Sequence, residues 1–512
     1  MRKFSTPLFL LAAVLLVAPG AFAQATGCSI QPAFSSSLVG TGGGFANASL
    51  LFDTTNNTAT LSSSTLGLTD ITGISLFRGT PGMADAQLIQ TFTGDGNAFT
   101  NGQFNGSVTL DPAVMNQILA NPQNYFFSIA TANAPNGAVF GPLTNSSTRF
   151  FNGTLSGSNI IGGAGAPGAN GSLVFSLTPD FGGQTSTLNF DLLSTGLNES
   201  QINSLQLMFP GAAPMVIASG SPLDNGRLTG SVQIPASVAQ QLICNPNAFS
   251  VMITSPHFSN GAIAGSLATD TNEIFIPVAG SARGANNTNW KTDLTLLSNT
   301  LNGNGNTDVL VQFFPAGASN GAFAQGASST SIAAHGMSTL RDLSSSLFNN
   351  QFPGIGALRI ITSGSVFANA RIFNDQSANG LGTFGEVVPG MTRAQALSRG
   401  TLAGVLTNSN ASVTGSANAH TNIGFFNPSD NFVTVALELR DANGNATGSR
   451  QLTLAPWQQS QMPLAGSIGV FNSISADVAP SSVFFLSSSP IFAYASVVDN
   501  VSGDSAYITP MQ

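Results

Sequence analysis

Residues 172–177, Ser172-Leu173-Val174-Phe175-Ser176-Leu177, and residues 187–192, Thr187-Leu188-Asn189-Phe190-Asp191-Leu192, alternate apolar and polar side chains. That period of two belongs to a strand with one buried face. Asn101-Gly102 and Asp224-Asn225-Gly226 punctuate the same part of the chain, where hairpin turns need positive φ. One kind of segment departs from the pattern. Asp111 to Leu119 and Pro235 to Ile243 carry apolar residues at helical spacing, Val114 with Ile118 and Val238 with Leu242. Asp111-Pro112 supplies an N-cap and first-turn pair. The pattern predicts an all-β chain of sandwich or Greek-key-like domains, with one short helix in each N-terminal repeat.

Working outward, residues Asn101 to Leu143 align with Asn225 to Leu267 at a constant offset of 124, with 15 identities over 43 positions. Upstream, residues 46–52 answer residues 169–175. A second duplication follows. Residues 292–299 match 421–428, Val309 to Phe314 match Val433 to Leu439, and Phe367 to Phe373 match Phe492 to Val498. Strand and turn spacing without a long helical period argues for sandwiches in this half, with a short helix around Thr392–Leu397 in the connecting stretch. The expected organisation is a leader, 1–23, and four β units at 24–146, 147–269, 270–390 and 391–512.

The leader sets the compartment. Arg2 and Lys3 precede an apolar run from Leu8 to Ala18, Pro19-Gly20 ends it, and Ala21-Phe22-Ala23 offers a small-x-small cleavage site. The run is shorter than the ~20 residues needed to cross a bilayer. It predicts a secretory signal cut after Ala23 and a mature chain of 489 residues, secreted, held at the cell surface or periplasmic. No later stretch reaches transmembrane length.

Only 7% of residues are charged, while 42% are hydrophobic, so a core forms beneath a surface of uncharged polar side chains. The mature chain keeps 12 basic and 22 acidic residues, with Lys291 its only lysine. Without a basic patch there is no footprint for nucleic acid or anionic lipid. Cys28 and Cys244 are the two candidates for a disulfide, in a compartment that permits one.

Reactive constellations are scarce. His257, His335 and His420 lie in three different units, none with another ligand at metal spacing; all three read as loop, turn or surface positions. Gly317-Ala318-Ser319-Asn320-Gly321 matches a nucleophile elbow without the helix it needs. Gly163 to Gly168 matches a dinucleotide fingerprint but opens a strand. Asp441 to Asn445 reads as a hairpin turn; with Asp499-Asn500 and Gly503-Asp504 it is a candidate for weak calcium binding. The remaining acids, mostly beside Asn or Gly, read as turn residues with no pair standing out.

The closing segments of the first two units, Tyr125 to Thr131 through Pro135-Asn136-Gly137-Ala138 to Leu143, and Phe249 through Asn260-Gly261-Ala262 to Leu267, resemble the CHRD domain, the repeat of chordin and of many secreted bacterial proteins. The likeness covers about half of the chain. It implies two degenerate CHRD-like repeats, 24–146 and 147–269, and by analogy protein binding. The family's His-x-His pair stands here as Ser75-Leu76-Phe77 and Leu207-Met208-Phe209, and its closing-strand His falls near Ile129-Ala130 and Ile253-Thr254. Any metal affinity of those histidines does not carry over. The expected function is therefore non-catalytic binding or structure, with uncharged β surfaces facing an unknown protein, matrix or glycan and no cofactor. The alternative is an extracellular hydrolase with an unrecognised carboxylate site.

Overall fold

The computed structural model describes residues 31–40, 44–83, 85–160, 165–209, 211–224, 226–269, 273–284, 288–299, 307–317, 326–348, 354–362, 364–408, 418–474 and 477–512. The chain is all-β, and its strands pair antiparallel in four successive sheets. The first contains β1 (Ala33–Val39), β2 (Phe45–Asp53), β3 (Thr58–Leu66), β4 (Ile71–Arg78), β5 (Gln87–Thr93), β6 (Gln103–Thr109), β7 (Tyr125–Thr131), β8 (Ala134–Pro142) and β9 (Thr144–Asn145). The second contains β10 (Arg149–Ser156), β11 (Asn170–Thr178), β12 (Thr185–Thr195), β13 (Ser204–Met208), β14 (Met215–Ser219), β15 (Arg227–Pro235), β16 (Ser250–Thr254), β17 (Ile263–Ser266) and β18 (Ala268–Thr269).

The two sheets share one strand order. It runs β5-β4-β7-β8-β1-β2-β3-β6 with β9 on β1, and β14-β13-β16-β17-β10-β11-β12-β15 with β18 on β10. End strands β5 and β6, like β14 and β15, come back into contact, so each sheet curls into a barrel-like shell. Alternation fills the interior: Ala59, Leu61 and Ser63 of β3 point inward while Thr60 and Ser62 face water. Each Leu or Phe buried in this way contributes roughly 1.5–3 kcal/mol. The expected helices are present. Asp111 caps α1 (Pro112–Ala120) by accepting from Ala113 N at 2.7 Å, and Met115, Ile118 and Leu119 enter the first core. α2 (Ala236–Cys244) inserts Val238, Ala239 and Leu242 into the second.

The third sheet holds β19 (Glu273–Arg283), β20 (Asn289–Ser298), β21 (Thr307–Pro315), β22 (Gly326–Ile332), β23 (Met337–Leu340), β24 (Gly354–Thr362), β25 (Val366–Asp375) and β26 (Thr383–Pro389), with a four-residue α3 (Leu343–Ser346). The fourth holds β27 (Leu397–Thr407), β28 (Ala419–Phe426), β29 (Val433–Arg440), β30 (Ala446–Leu454), β31 (Gln459–Pro463), β32 (Val478–Asp499) and β33 (Ser505–Ile508). The first half of β32 pairs with β27 and β29 and its second half with β28 and β33. One long strand thus does in unit 4 what β24 and β25 do in unit 3. The helix expected around Thr392–Leu397 is one 3-10 turn, Arg393–Gln395, because Leu397 already pairs in β27. No helix among the described residues is long and apolar enough to cross a membrane.

Units 2, 3 and 4 meet around a buried ion cluster, and three buried acids depart from the reading of the acids as mostly turn residues. Asp53, Asp95, Asp111, Asp180, Asp441 and Asp499 do accept turn or cap N–H groups. Glu273, Asp191 and Glu386 are buried instead. Glu273, at the start of β19, pairs with Arg359 of β24, and Arg393 of the 3-10 turn grips it at 2.9 and 3.0 Å. Arg393 also donates to the Pro428 carbonyl of unit 4. Burial alone would raise the Glu273 carboxyl, but the two guanidinia outweigh it and hold the carboxyl below its ordinary range.

Aromatic rings from three units enclose the cluster. Arg393 lies 4.0 Å from the Phe150 ring centroid, and Arg359 lies 4.9 Å from that of Trp457. Phe314 stacks on Trp457 at 5.1 Å, and Phe275, Phe426 and Phe492 complete the layer. Unit 1 joins through Phe45 and Leu66 against Ala436, Phe484 and Leu486 of unit 4. Units 2 and 3 also share Asp191, which takes Arg227 at 2.9 Å and Gln312 at 2.8 Å. Replacing Glu273 with Gln removes the carboxylate that both guanidinia contact and leaves the buried Arg359 with only the more distant Asp430 as counter-charge. The thermal midpoint of unfolding should fall, by an amount equivalent to about 3–5 kcal/mol, while a surface change such as Asp53→Asn should move it far less; differential scanning calorimetry reads both.

Candidate functional site

The residues singled out in the sequence scatter. His257 is exposed and bonds Glu199 at 2.9 Å through Nδ1. His335 occupies a turn at φ 57° between β22 and β23. Gly168, at φ 71°, leads into β11 as a turn, whereas 161–164 lie outside the described residues, as do Ser319 and the leader. Asp441 closes the β29–β30 hairpin by accepting from the N–H groups of Asn443 and Asn445 at 2.9 Å. Oδ1 of Asp499 accepts from Val501 N, Ser502 N and Ser502 Oγ at 2.7–2.9 Å. Both candidate calcium loops thus have a carboxylate engaged by its own turn. Among the described residues no group of three or more His, Cys, Asp or Glu is placed to hold a metal. Cys244 ends α2 and is disulfide-bonded; Cys28, the only other cysteine in the sequence, lies outside the described residues.

One histidine needs correction. His420, read as a surface position, is half-buried and lines a cavity of about 600 Å³ between units 3 and 4. Unit 3 contributes the β19–β20 corner with Arg283, Thr288 and Trp290, and Glu386 of β26. Unit 4 contributes His420 and Asn422 of β28, Gln461 of β31, Ser496 of β32 and the Asp499–Gly503 turn. That turn fits closely against unit 3. Gly503 has φ 71°, and a Cβ there would stand 2.5 Å from the Asn374 amide nitrogen.

The polar groups of the cavity are mostly amides and hydroxyls. His420 Nδ1 meets Asn500 Oδ1 at 2.5 Å, and Asn500 donates to Asn418 at 2.9 Å. Gln461 accepts from Tyr494 OH at 2.7 Å. Tyr494 is buried and stacks on Tyr507 with centroids 5.5 Å apart. Gly424, its partner across β28 and β32, leaves room for the ring, because a Cβ there would lie 1.9 Å from Tyr494 Cζ.

Glu386 has no cation partner, unlike Glu273. Ser496 Oγ lies 3.0 Å from both of its carboxyl oxygens. Burial pushes this carboxyl up to about 7; the Ser496 and Ser505 hydroxyls counter that in part, and the charge of Asp504 adds to it.

The duplication supplies an internal comparison. Lys291 pairs with Phe373 across β20 and β25, and His420 pairs with Val498 across β28 and β32. The same register sets Asp293 against Asn422 and Asp375 against Asn500. In unit 3 Lys291 forms an ion pair with Asp375 at 3.1 Å, while Asp293 accepts from the Asp342 backbone N–H at 2.8 Å. In unit 4 the corresponding side chains carry no carboxylate, and they line the cavity. No short-range motif marks this site. Its sequence signal was the replacement of Lys and two Asp by His and two Asn between matched repeats.

The raised Glu386 carboxyl has a consequence for stability. Its folded value lies above the ordinary 4.5, so the folded chain holds the extra proton between the two. Stability is then fully present below about pH 4.5 and declines as pH rises through about 7, by roughly 3 kcal/mol from this group. Glu386→Gln should flatten that part of the profile, read from unfolding midpoints measured between pH 5 and pH 8. No family model and no curated protein matches the chain, and the CHRD resemblance rests on the segments quoted for it.

Proposed function

We propose that the chain is an exported, non-catalytic binding or structural protein, offering uncharged polar β surfaces to a protein, matrix or saccharide partner. The observation that supports this most is what happens to its charges. Glu273 and Asp191 sit in buried ion pairs, and six aspartates accept turn or cap N–H groups. The inter-unit cavity is walled by aliphatic and aromatic side chains, among which amides and hydroxyls outnumber the charged groups Arg283, Glu386 and Asp499. Such groups recognise by hydrogen bonding and contact; they supply no nucleophile and base held against each other. Export rests on the order of features in residues 1–23, and protein binding rests on the CHRD resemblance by analogy alone.

One arrangement favours the hydrolase. Glu386, titrating near 7, and His420 line the same cavity as Asp499, and a raised carboxyl suits a general acid. Glycoside hydrolysis asks for a second carboxyl as base or nucleophile, and Asp499 is already engaged by three donors of its own turn.

Two measurements on the purified mature protein separate these readings. Glycan arrays and pull-downs with extracellular matrix protein should give a saturable partner, and 4-nitrophenyl glycosides should remain intact. Turnover that disappears in Glu386→Gln would replace the binding reading with the hydrolase.

A further inference from the structure

We infer that the cavity between units 3 and 4 is a binding site for a neutral oligosaccharide, seated against Trp290 and held by Glu386 and the amides of Asn422 and Gln461. The inference rests on the binding reading above and gives it a location and a ligand class.

Size is the first argument. A cavity of about 600 Å³ falls within the roughly 300–1,000 Å³ typical of small-molecule sites. Chemistry is the second. The walls combine aliphatic side chains such as Ile355, Ile372 and Val498 and two half-buried rings, Trp290 and Phe384, with a set of amide and hydroxyl donors and acceptors, a mixture suited to a ligand with both apolar faces and hydroxyls. An apolar ligand would strip water from the amides and return no hydrogen bond, which is unfavourable. A phosphate or carboxylate ligand calls for clustered cations, and among the described residues Arg283, which is exposed, is the one Lys or Arg side chain in the lining. A ligand rich in hydroxyls matches groups that both give and accept. Gln461 accepts from Tyr494 with its carbonyl, so its amino group is available to donate.

The third argument is the repeat. Unit 3 carries Lys291, Asp293 and Asp375 where unit 4 carries His420, Asn422 and Asn500. Where unit 3 has the Lys291–Asp375 ion pair, the copy that faces the cavity has an imidazole and an amide.

The chain has two tryptophans, and they make the test direct. Trp457 is wholly buried at the aromatic junction, whereas Trp290 lines the cavity. Cellotriose, maltotriose, xylotriose, mannotriose and triacetylchitotriose would each be titrated into the mature protein. Emission and calorimetric heat are followed together, with trigalacturonate, inorganic phosphate and an anilinonaphthalene sulfonate dye as charged and apolar controls. At least one neutral trisaccharide should saturate both signals. The emission change should vanish in Trp290→Phe, and calorimetry should show about tenfold or weaker binding in Asn422→Ala, as expected when a polar partner is removed. Circular dichroism and the melting midpoint of Asn422→Ala establish that it is folded. Saturation by a charged or apolar control alone overturns the ligand class. A glycan that binds the wild type and folded Asn422→Ala equally, without moving Trp290 emission, overturns the site but leaves the binding reading intact. Absence of any partner on arrays, in pull-downs and in these titrations defeats both.

Discussion

A carboxylate removed from water stays ionised only if cations face it at short range, and Glu273 meets that condition twice. Arg359 approaches from within its own unit and Arg393 from the connector to the next. The guanidinia need cover of their own, which Phe150, Trp457 and Phe275 provide with their ring faces. Phe150 belongs to unit 2, Phe275 to unit 3 and Trp457 to unit 4, so satisfying one buried charge brings three units to a single point. In a chain where only 7% of residues are charged, the charges gathered at this junction help to set how the units lie against each other.

The joint between units 3 and 4 also uses hydroxyl and amide groups. Tyr494 of unit 4 enters the core of unit 3, with its hydroxyl accepting from Gln459 at 2.8 Å and donating to Gln461 at 2.7 Å. Glu386 faces Ser496 across the same joint. The contrast between the two buried glutamates is one of environment alone. Two guanidinia keep Glu273 an anion, whereas two hydroxyls cannot offset the desolvation of Glu386, which titrates near 7. The first carboxylate is buried and held by both guanidinia, although Arg393 itself is partly exposed. The second opens on a cavity and can exchange a hydrogen bond with whatever enters.

How much of this was legible in the sequence follows from the range of each interaction. Strand alternation, the Asp111 cap and the Asn-Gly turns depend on neighbours a few residues apart, so the pattern around Ser172–Leu192 and the two helices were readable. The internal duplication was readable because whole strand orders repeat. Glu273 was not, because its partners lie 86 and 120 residues away and nothing near it in the chain signals a cation. The same holds for the cavity, whose walls come from both members of the second repeat pair. Neither Glu386 nor His420 has a local motif: His420 read as a surface position because its repeat mate is Lys291, and Glu386 was one of the acids read together as mostly turn residues.

Duplication also explains why a site can stand at this joint. Two copies of one sandwich carry equivalent strand pairs, β20 with β25 and β28 with β32, and either pair can supply the ties that hold its own sheet. In unit 3 the edge positions are tied by Lys291, Asp375 and Asp342. In unit 4 the sheet is secured differently, because β32 runs unbroken through both layers and Tyr494 anchors it in the neighbouring core. With that backbone continuity in place, the positions matching the ionic strut are tied by hydrogen bonds alone, His420 to Asn500 and Asn500 to Asn418. Side chains there can face a cavity at little expense to the fold, and His420, Asn422 and Asn500 do so.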